Sequence, residues 1–259
     1  MSRILLLYRS LFFIGIYLTA SHISYAATID ISATVSGWVK YNGETNGLIE
    51  STTNYIAGRE VGNDPSYSNY FVFDLSEVEG EIASASLKLQ NPDNGFYSFD
   101  NDNIGTNECC TYTVNSMLSG GITPSNLLPE NWSYPYTGTA AWSIINNGTP
   151  VNYGSIHMDE SSNGTTIEIM LNEIAIIDIN STINENAYNN LFAIGGNLES
   201  TNSRVAYAFS NTGYNLFDRT LTLETVSSST VPLPPTVLLF LSGIALFFGI
   251  HRKYEKTLQ

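Results

Sequence analysis

The sequence predicts an all-β protein, an antiparallel β-sandwich or jelly roll, with a short apolar segment at each end. Three observations carry that expectation. Apolar and polar residues alternate with period two in several separate stretches, as half-buried strands require. Clusters such as "NPDNG", "NNGTP" and "SSNGTT" lie between them, and their Asn, Gly and Pro supply the positive or fixed φ angles of turns. Roughly ten short strands, with no repeat of about 20–50 residues, fit one sandwich or jelly-roll unit of about 200 residues.

The elements follow in chain order. Arg3 and Arg9 precede an apolar run from Leu11 to Ala20, and Ser24 and Ala26 hold the small-residue positions before Ala27. This is the layout of a secretory signal peptide over residues 1–26, cut between Ala26 and Ala27 by signal peptidase. The run is shorter than the about 20 apolar residues of a spanning helix.

Residues 27–226 make up the expected β-domain. In "SASLKLQ", Ala85, Leu87 and Leu89 alternate with Ser84, Ser86 and Lys88. In "TTIEIML", Ile167, Ile169 and Leu171 alternate with Thr166, Glu168 and Met170. "RTLTLETV" sets Leu221 and Leu223 against Thr222 and Glu224. One segment, "LNEIAIIDIN" at 171–180, reads as a short helix with Asn172 as N-cap and Ile174, Ile176 and Ile177 as its apolar positions.

The Ser- and Pro-rich stretch 227–235 is an extended linker. Residues 236–251 form a transmembrane helix, whose 14-residue run Val237 to Ile250 spans about 21 Å at 1.5 Å per residue. That is short for a hydrocarbon layer of about 30 Å. The basic tail 252–259 begins with Arg252 and Lys253, which stay cytoplasmic by the positive-inside rule.

Charge narrows the partners. Residues 27–230 hold five basic residues (Lys40, Arg59, Lys88, Arg204, Arg219) against 23 acidic ones, a net charge of −18. Such a surface repels nucleic-acid phosphates and anionic lipid, so no nucleic-acid partner is expected. The chain has two cysteines, Cys109 and Cys110, which excludes a disulfide-stapled scaffold. Neighbouring Cα atoms lie about 3.8 Å apart, below the usual disulfide span of about 4.4–6.8 Å. Three states stay open: a strained vicinal disulfide, an outward thiol that links molecules, or two reduced thiols.

Catalytic chemistry is sparse. His157 is the one histidine between the two ends, and no G-x-S-x-G, H-E-x-x-H or C-x-x-C pattern occurs. The expectation is a protein without enzymatic activity. The competing class is a secreted carbohydrate-active enzyme, a glycoside hydrolase or lyase, because glycosidases need only two carboxylates about 5–10 Å apart.

"DNDNIG" places Asp100, Asp102 and Gly105 at positions one, three and six of an EF-hand loop, but Ile104 and Thr111 stand where oxygen ligands are required. That reading fails. Asp93, Asp100, Asp102 and Glu108 remain candidate ligands for a structural calcium. In "NWSYPYTGTAAW", Trp132, Tyr134, Tyr136 and Trp142 are candidate sugar-stacking residues, since a flat amphipathic ring suits the C–H face of a glycan. The alternative is that they fill and edge the core of a strand protein.

Two resemblances add to these readings. "NYFVFDLSEVEGEIASASLKLQNP" at 69–92 resembles a segment of DNRLRE-type jelly-roll domains of secreted bacterial proteins. The resemblance implies one strand face of Phe71, Phe73 and Leu75, a turn at Asp74 and Ser76, and a second strand through Ala85 to Leu89. The tail resembles the PEP-CTERM sorting signal, with Val231-Pro232-Leu233-Pro234 as the Val-Pro-Leu-Pro variant before a short apolar helix and a basic end. It implies export by a Gram-negative bacterium that makes exopolysaccharide. It also implies transient anchoring by the C-terminal helix, and removal of that helix by an exosortase-like enzyme. A sortase Leu-Pro-x-Thr-Gly site is the rival, but Val237 stands where that site needs Gly. The expected protein therefore belongs to the cell surface or extracellular matrix and is structural or exopolysaccharide-binding.

Overall fold

Three antiparallel sheets account for the strands in a computed structural model that describes residues 26–46, 54–59, 66–99, 110–118, 121–147, 150–199, 205–210 and 218–226. The first sheet has the order β1 (Thr28–Ser32), β12 (Arg219–Thr225), β5 (Ile82–Gln90), β9 (Thr166–Met170). Its register explains the alternation in the sequence. Leu87 faces both Leu221 and Ile169, and Leu89 faces Ile167, so one apolar row runs across three strands. Lys88 lies opposite Glu168 in the alternate row, with Nζ and Oε1 3.8 Å apart.

The second sheet is β2 (Val35–Val39), β4 (Ser68–Asp74), β10 (Leu191–Glu199), β7 (Thr111–Ser116), β8 (Asn152–His157). The third is β3 (Ala57–Arg59), β11 (Val205–Ala208), β6 (Tyr97–Phe99). A large apolar cluster draws on all three, including Leu87, Leu221, Phe71, Phe192, Ala57 and Ala206.

The two central strands of the second sheet are covered on both faces, which is why they read as near-continuous apolar runs. Phe71, Phe73, Phe192 and Ile194 enter the large cluster. Their neighbours Tyr70, Val72, Leu191 and Ala193 enter a second cluster on the other side. Helix α1 (Tyr136–Asn146) closes that side with Ala141, Ile144 and Ile145. In the segment 69–92, Phe71 and Phe73 share a strand face, Leu75 is buried but lies past the end of the strand at Asp74, and Asp74 Oδ1 accepts from the Ser76 amide at 2.9 Å.

The helix expected near 171–180 is α2 (Glu173–Asn184), and Asn172 caps it by accepting from the Ala175 amide at 3.1 Å. Its buried face differs in part from the expectation. Ala175, Ile179 and Thr182 point inward and Ile176 packs on the large cluster as expected, whereas Ile174 and Ile177 are exposed. Asn180 fixes this rotation, because its side-chain amide donates to the Ile82 carbonyl at 3.0 Å and accepts from the Ile82 amide at 2.8 Å. Asn163 pairs with the Phe96 backbone in the same two-way manner. Both amides stand in for a strand partner at a position where the ladder has none, and so satisfy buried backbone groups.

Residues Ala27–Val226 form one compact unit. The expected signal peptide over 1–26, the linker 227–235 with its Val231–Pro234 motif, the 236–251 helix and the basic tail lie outside the described residues, apart from Ala26. Among the described residues no helix is long and apolar enough to cross a membrane.

Candidate functional site

The first turn of α1 gathers the aromatic residues. A cis peptide bond joins Tyr134 to Pro135, and Pro135 is the N-cap of α1. The turn is tied together locally: Thr137 N donates to the Ser133 carbonyl at 2.8 Å, and Ser133 N donates to Thr137 Oγ1 at 3.1 Å. Thr137, Gly138, Ala141, Ile144 and Ile145 form the buried stripe of the helix. Tyr134 and Tyr136 are left facing solvent, 61% and 75% exposed.

A distant loop joins them. After β2 the chain turns through Lys40–Glu44, with the Lys40 amide donating to the Glu44 carbonyl at 3.0 Å and the Gly43 amide to the Lys40 carbonyl at 3.0 Å. Gly43, at φ +84°, lies directly on the α1 turn: a Cβ built there would stand 2.4 Å from the Pro135 carbonyl oxygen. Gly138 answers from the helix side, where an added Cβ would meet the Gly43 carbonyl at 2.3 Å. Two backbones approach this closely only where neither residue has a side chain. The contact brings Tyr41, 55% exposed, against Trp142 with ring centroids 6.3 Å apart. Tyr41 was not singled out in the sequence, since its partner lies some hundred residues away.

The four aromatic candidates therefore divide. Trp132 stacks on the buried Tyr70 ring at 5.8 Å and packs on the second apolar cluster. Trp142 is half-buried on the same cluster, and its indole N–H donates to the Ser66 carbonyl at 3.2 Å. These two serve chiefly as core, and Trp142 keeps an edge toward Tyr41. Tyr134 and Tyr136 are free to meet a ligand.

Beside this surface, Lys40 is buried with its ammonium 3.2 Å from the Glu44 carboxylate, 4.7 Å from the Tyr67 ring centre and 5.5 Å from that of Trp38. Burial alone would lower its pKa, but hydrogen bonds with Tyr67 and Glu44 outweigh it and hold the value above the ordinary one.

The remaining candidates are placed as follows. Cys110 is buried just before β7 and disulfide-bonded, and Cys109, the chain's other cysteine, lies outside the described residues. Asp93 is exposed beside Gly164, where an added Cβ would stand 2.7 Å from its Oδ1. Asp100, Asp102 and Glu108 lie outside the described residues. Among the described residues no group of three His, Cys, Asp or Glu side chains could hold a metal ion. His157 is exposed at the end of β8. Ala27 enters the first sheet one residue before β1 begins, where its carbonyl accepts a hydrogen bond from the Thr225 amide at 3.0 Å.

Compared with known proteins, the sequence matches no family model, and no characterised protein is significantly similar to it.

Proposed function

We propose that this chain is an exported bacterial surface or matrix protein whose domain, Ala27–Val226, binds exopolysaccharide through the exposed rings of Tyr41, Tyr134 and Tyr136 beside Trp142. The observation that carries the reading is the exposure of three tyrosines around one glycine–glycine backbone contact. Large rings held out by a fixed backbone lose little conformational freedom on binding, and their amphipathic faces suit pyranose C–H groups.

The sheets would pack as a sandwich of jelly-roll type, with the large apolar cluster between them. Export by a signal peptide cut before Ala27 fits the position of Ala27 at the edge of the first sheet. Sorting would proceed through Val231-Pro232-Leu233-Pro234, with the following helix removed by an exosortase-like enzyme. The acidic charge and the scarcity of catalytic patterns favour a binding role over a hydrolase or lyase.

The test is adsorption of the full-length protein to exopolysaccharide isolated from the producing cells. Replacing Tyr134 and Tyr136 by Ala should weaken adsorption by about 5–30-fold per ring, the factor for about 1–2 kcal/mol. Unchanged adsorption by the double variant would remove the site, and absence of adsorption by the wild type would remove the reading.

A further inference from the structure

We propose that the tyrosine surface takes a neutral polysaccharide, one without uronate, sulfate or phosphate groups. This deepens the exopolysaccharide reading above and rests on it. Recognition of an anionic sugar needs a fixed cation or a fork of donors within hydrogen-bond reach, so the positions of the cations decide the matter.

The described residues include four Lys and Arg side chains. Lys40 is closest to the surface in the chain, and it is occupied by Glu44 and by the faces of Tyr67 and Trp38. Arg219, half-buried, donates to Ser36 and lies 5.7 Å from the Tyr55 ring centre. Lys88 faces Glu168 across the first sheet, and Arg59 belongs to β3 in the third sheet. Among the described residues, none of the four makes a cation–ring contact with Tyr134 or Tyr136.

The groups that flank the rings are of a different kind. Asn42, Asn131, Ser133 and Thr139 are exposed and offer neutral amides and hydroxyls. Glu130, also exposed, adds negative charge, while the charge of Glu44 is balanced by Lys40. An acidic polymer would meet the Glu130 carboxylate locally and a net −18 over residues 27–230, and like charges on this scale repel at low ionic strength. A neutral polymer meets no such barrier, and its binding by stacking and neutral hydrogen bonds should be indifferent to salt.

The experiment separates the exopolysaccharide of the producing cells by anion exchange into neutral and acidic pools. Full-length protein is then run through native gels cast with each pool. Salt is varied from about 0.01 to about 1 M, which shortens the Debye length from about 30 to about 3 Å. The expected result is retardation by the neutral pool alone, changing less than about twofold across the salt range. Tyr41→Ala, 55% exposed in the wild type, should weaken it at least about fivefold, the factor for about 1 kcal/mol.

Retardation by the acidic pool alone, or affinity that falls steeply with salt, would overturn the neutral assignment while leaving exopolysaccharide binding intact. Retardation by neither pool would overturn both. A Tyr41→Phe variant that keeps its melting temperature and its retardation would locate the contact in the ring and not in the hydroxyl.

Discussion

Replacing Gly43 by Ala tests the backbone contact on which the tyrosine surface is built. Two costs are expected. Gly43 has φ +84°, and a left-handed conformation costs an L-residue about 1–2 kcal/mol. Part of that is offset, by about 0.4–1 kcal/mol, through the lower entropy of the unfolded chain. The second cost is steric. The new methyl would stand 2.4 Å from the Pro135 carbonyl oxygen, 2.6 Å from Pro135 Cβ and 2.9 Å from Thr139 Oγ1. Overpacking of this kind adds about 1–3 kcal/mol, for a total near 3 kcal/mol.

Gly80 supplies the control, with a similar φ of +91° and no atom within 4 Å of an added Cβ. In a domain of this size about 1 kcal/mol lowers Tm by about 2–4 °C. Thermal unfolding followed by circular dichroism should therefore show a fall of about 6–12 °C for Gly43→Ala and about 2–4 °C for Gly80→Ala. Gly43→Ala should also weaken exopolysaccharide adsorption, because the loop that carries Tyr41 must lift from α1. Equal falls in Tm for the two variants, with adsorption intact, would refute the packing of this loop on the helix.

Other outcomes follow from the buried polar groups. Asn69, fully buried, donates to the Tyr55 carbonyl at 2.8 Å and accepts from the Tyr112 hydroxyl at 2.7 Å. Asn69→Leu should cost about 2–4 kcal/mol by urea unfolding, since it leaves two buried groups unpaired, and adding Tyr112→Phe should recover part of that loss. Trp132→Ala should cost about 3–5 kcal/mol, as loss of a large ring stacked on Tyr70, whereas Tyr134→Ala and Tyr136→Ala should stay within about 0.5 kcal/mol of wild type. Burial raises the hydroxyl pKa of Tyr55, Tyr70, Tyr112 and Tyr153 above the ordinary value. The folded chain then holds these protons more tightly than the unfolded one. Stability is full below pH about 10 and falls above it, by up to about 1.4 kcal/mol per pH unit for each ring. Tyrosinate absorbance should accordingly rise in two phases, the second coinciding with unfolding, and a single early phase would contradict the burial of these rings.

The strands that face a core on one side were legible because a half-buried strand imposes period two on its sequence. Leu87, Leu89, Ile167, Ile169, Leu221 and Leu223 all fall where that period places them. Helix α1 was not legible. Its sequence "YTGTAAWSIIN" carries two Thr and a Gly, which are poor helix formers, and its N-cap Pro135 makes no side-chain hydrogen bond. Packing of Ala141, Ile144 and Ile145 on the central strands is what selects it.

Asn172 announces the start of α2, and of its three expected apolar positions Ile176 packs on the core while Ile174 and Ile177 do not. Hydrophobicity favoured Ile174 and Ile177, while the hydrogen bonds of Asn180 to Ile82 turn them outward. The site was half visible. An aromatic-rich stretch marks Tyr134 and Tyr136, but nothing local distinguishes them from the core residues Trp132 and Trp142. Tyr41 enters only through a tertiary contact between glycines.

The most direct measurement of glycan contact at this surface is tyrosine nitration by tetranitromethane, mapped by peptide mass, with and without saturating exopolysaccharide. Tyr41, Tyr134 and Tyr136 should be protected, while Tyr97 and Tyr188, 41% and 40% exposed elsewhere on the domain, should react equally in both samples. Protection confined to Tyr97 or Tyr188, or uniform nitration of all five, would contradict the account.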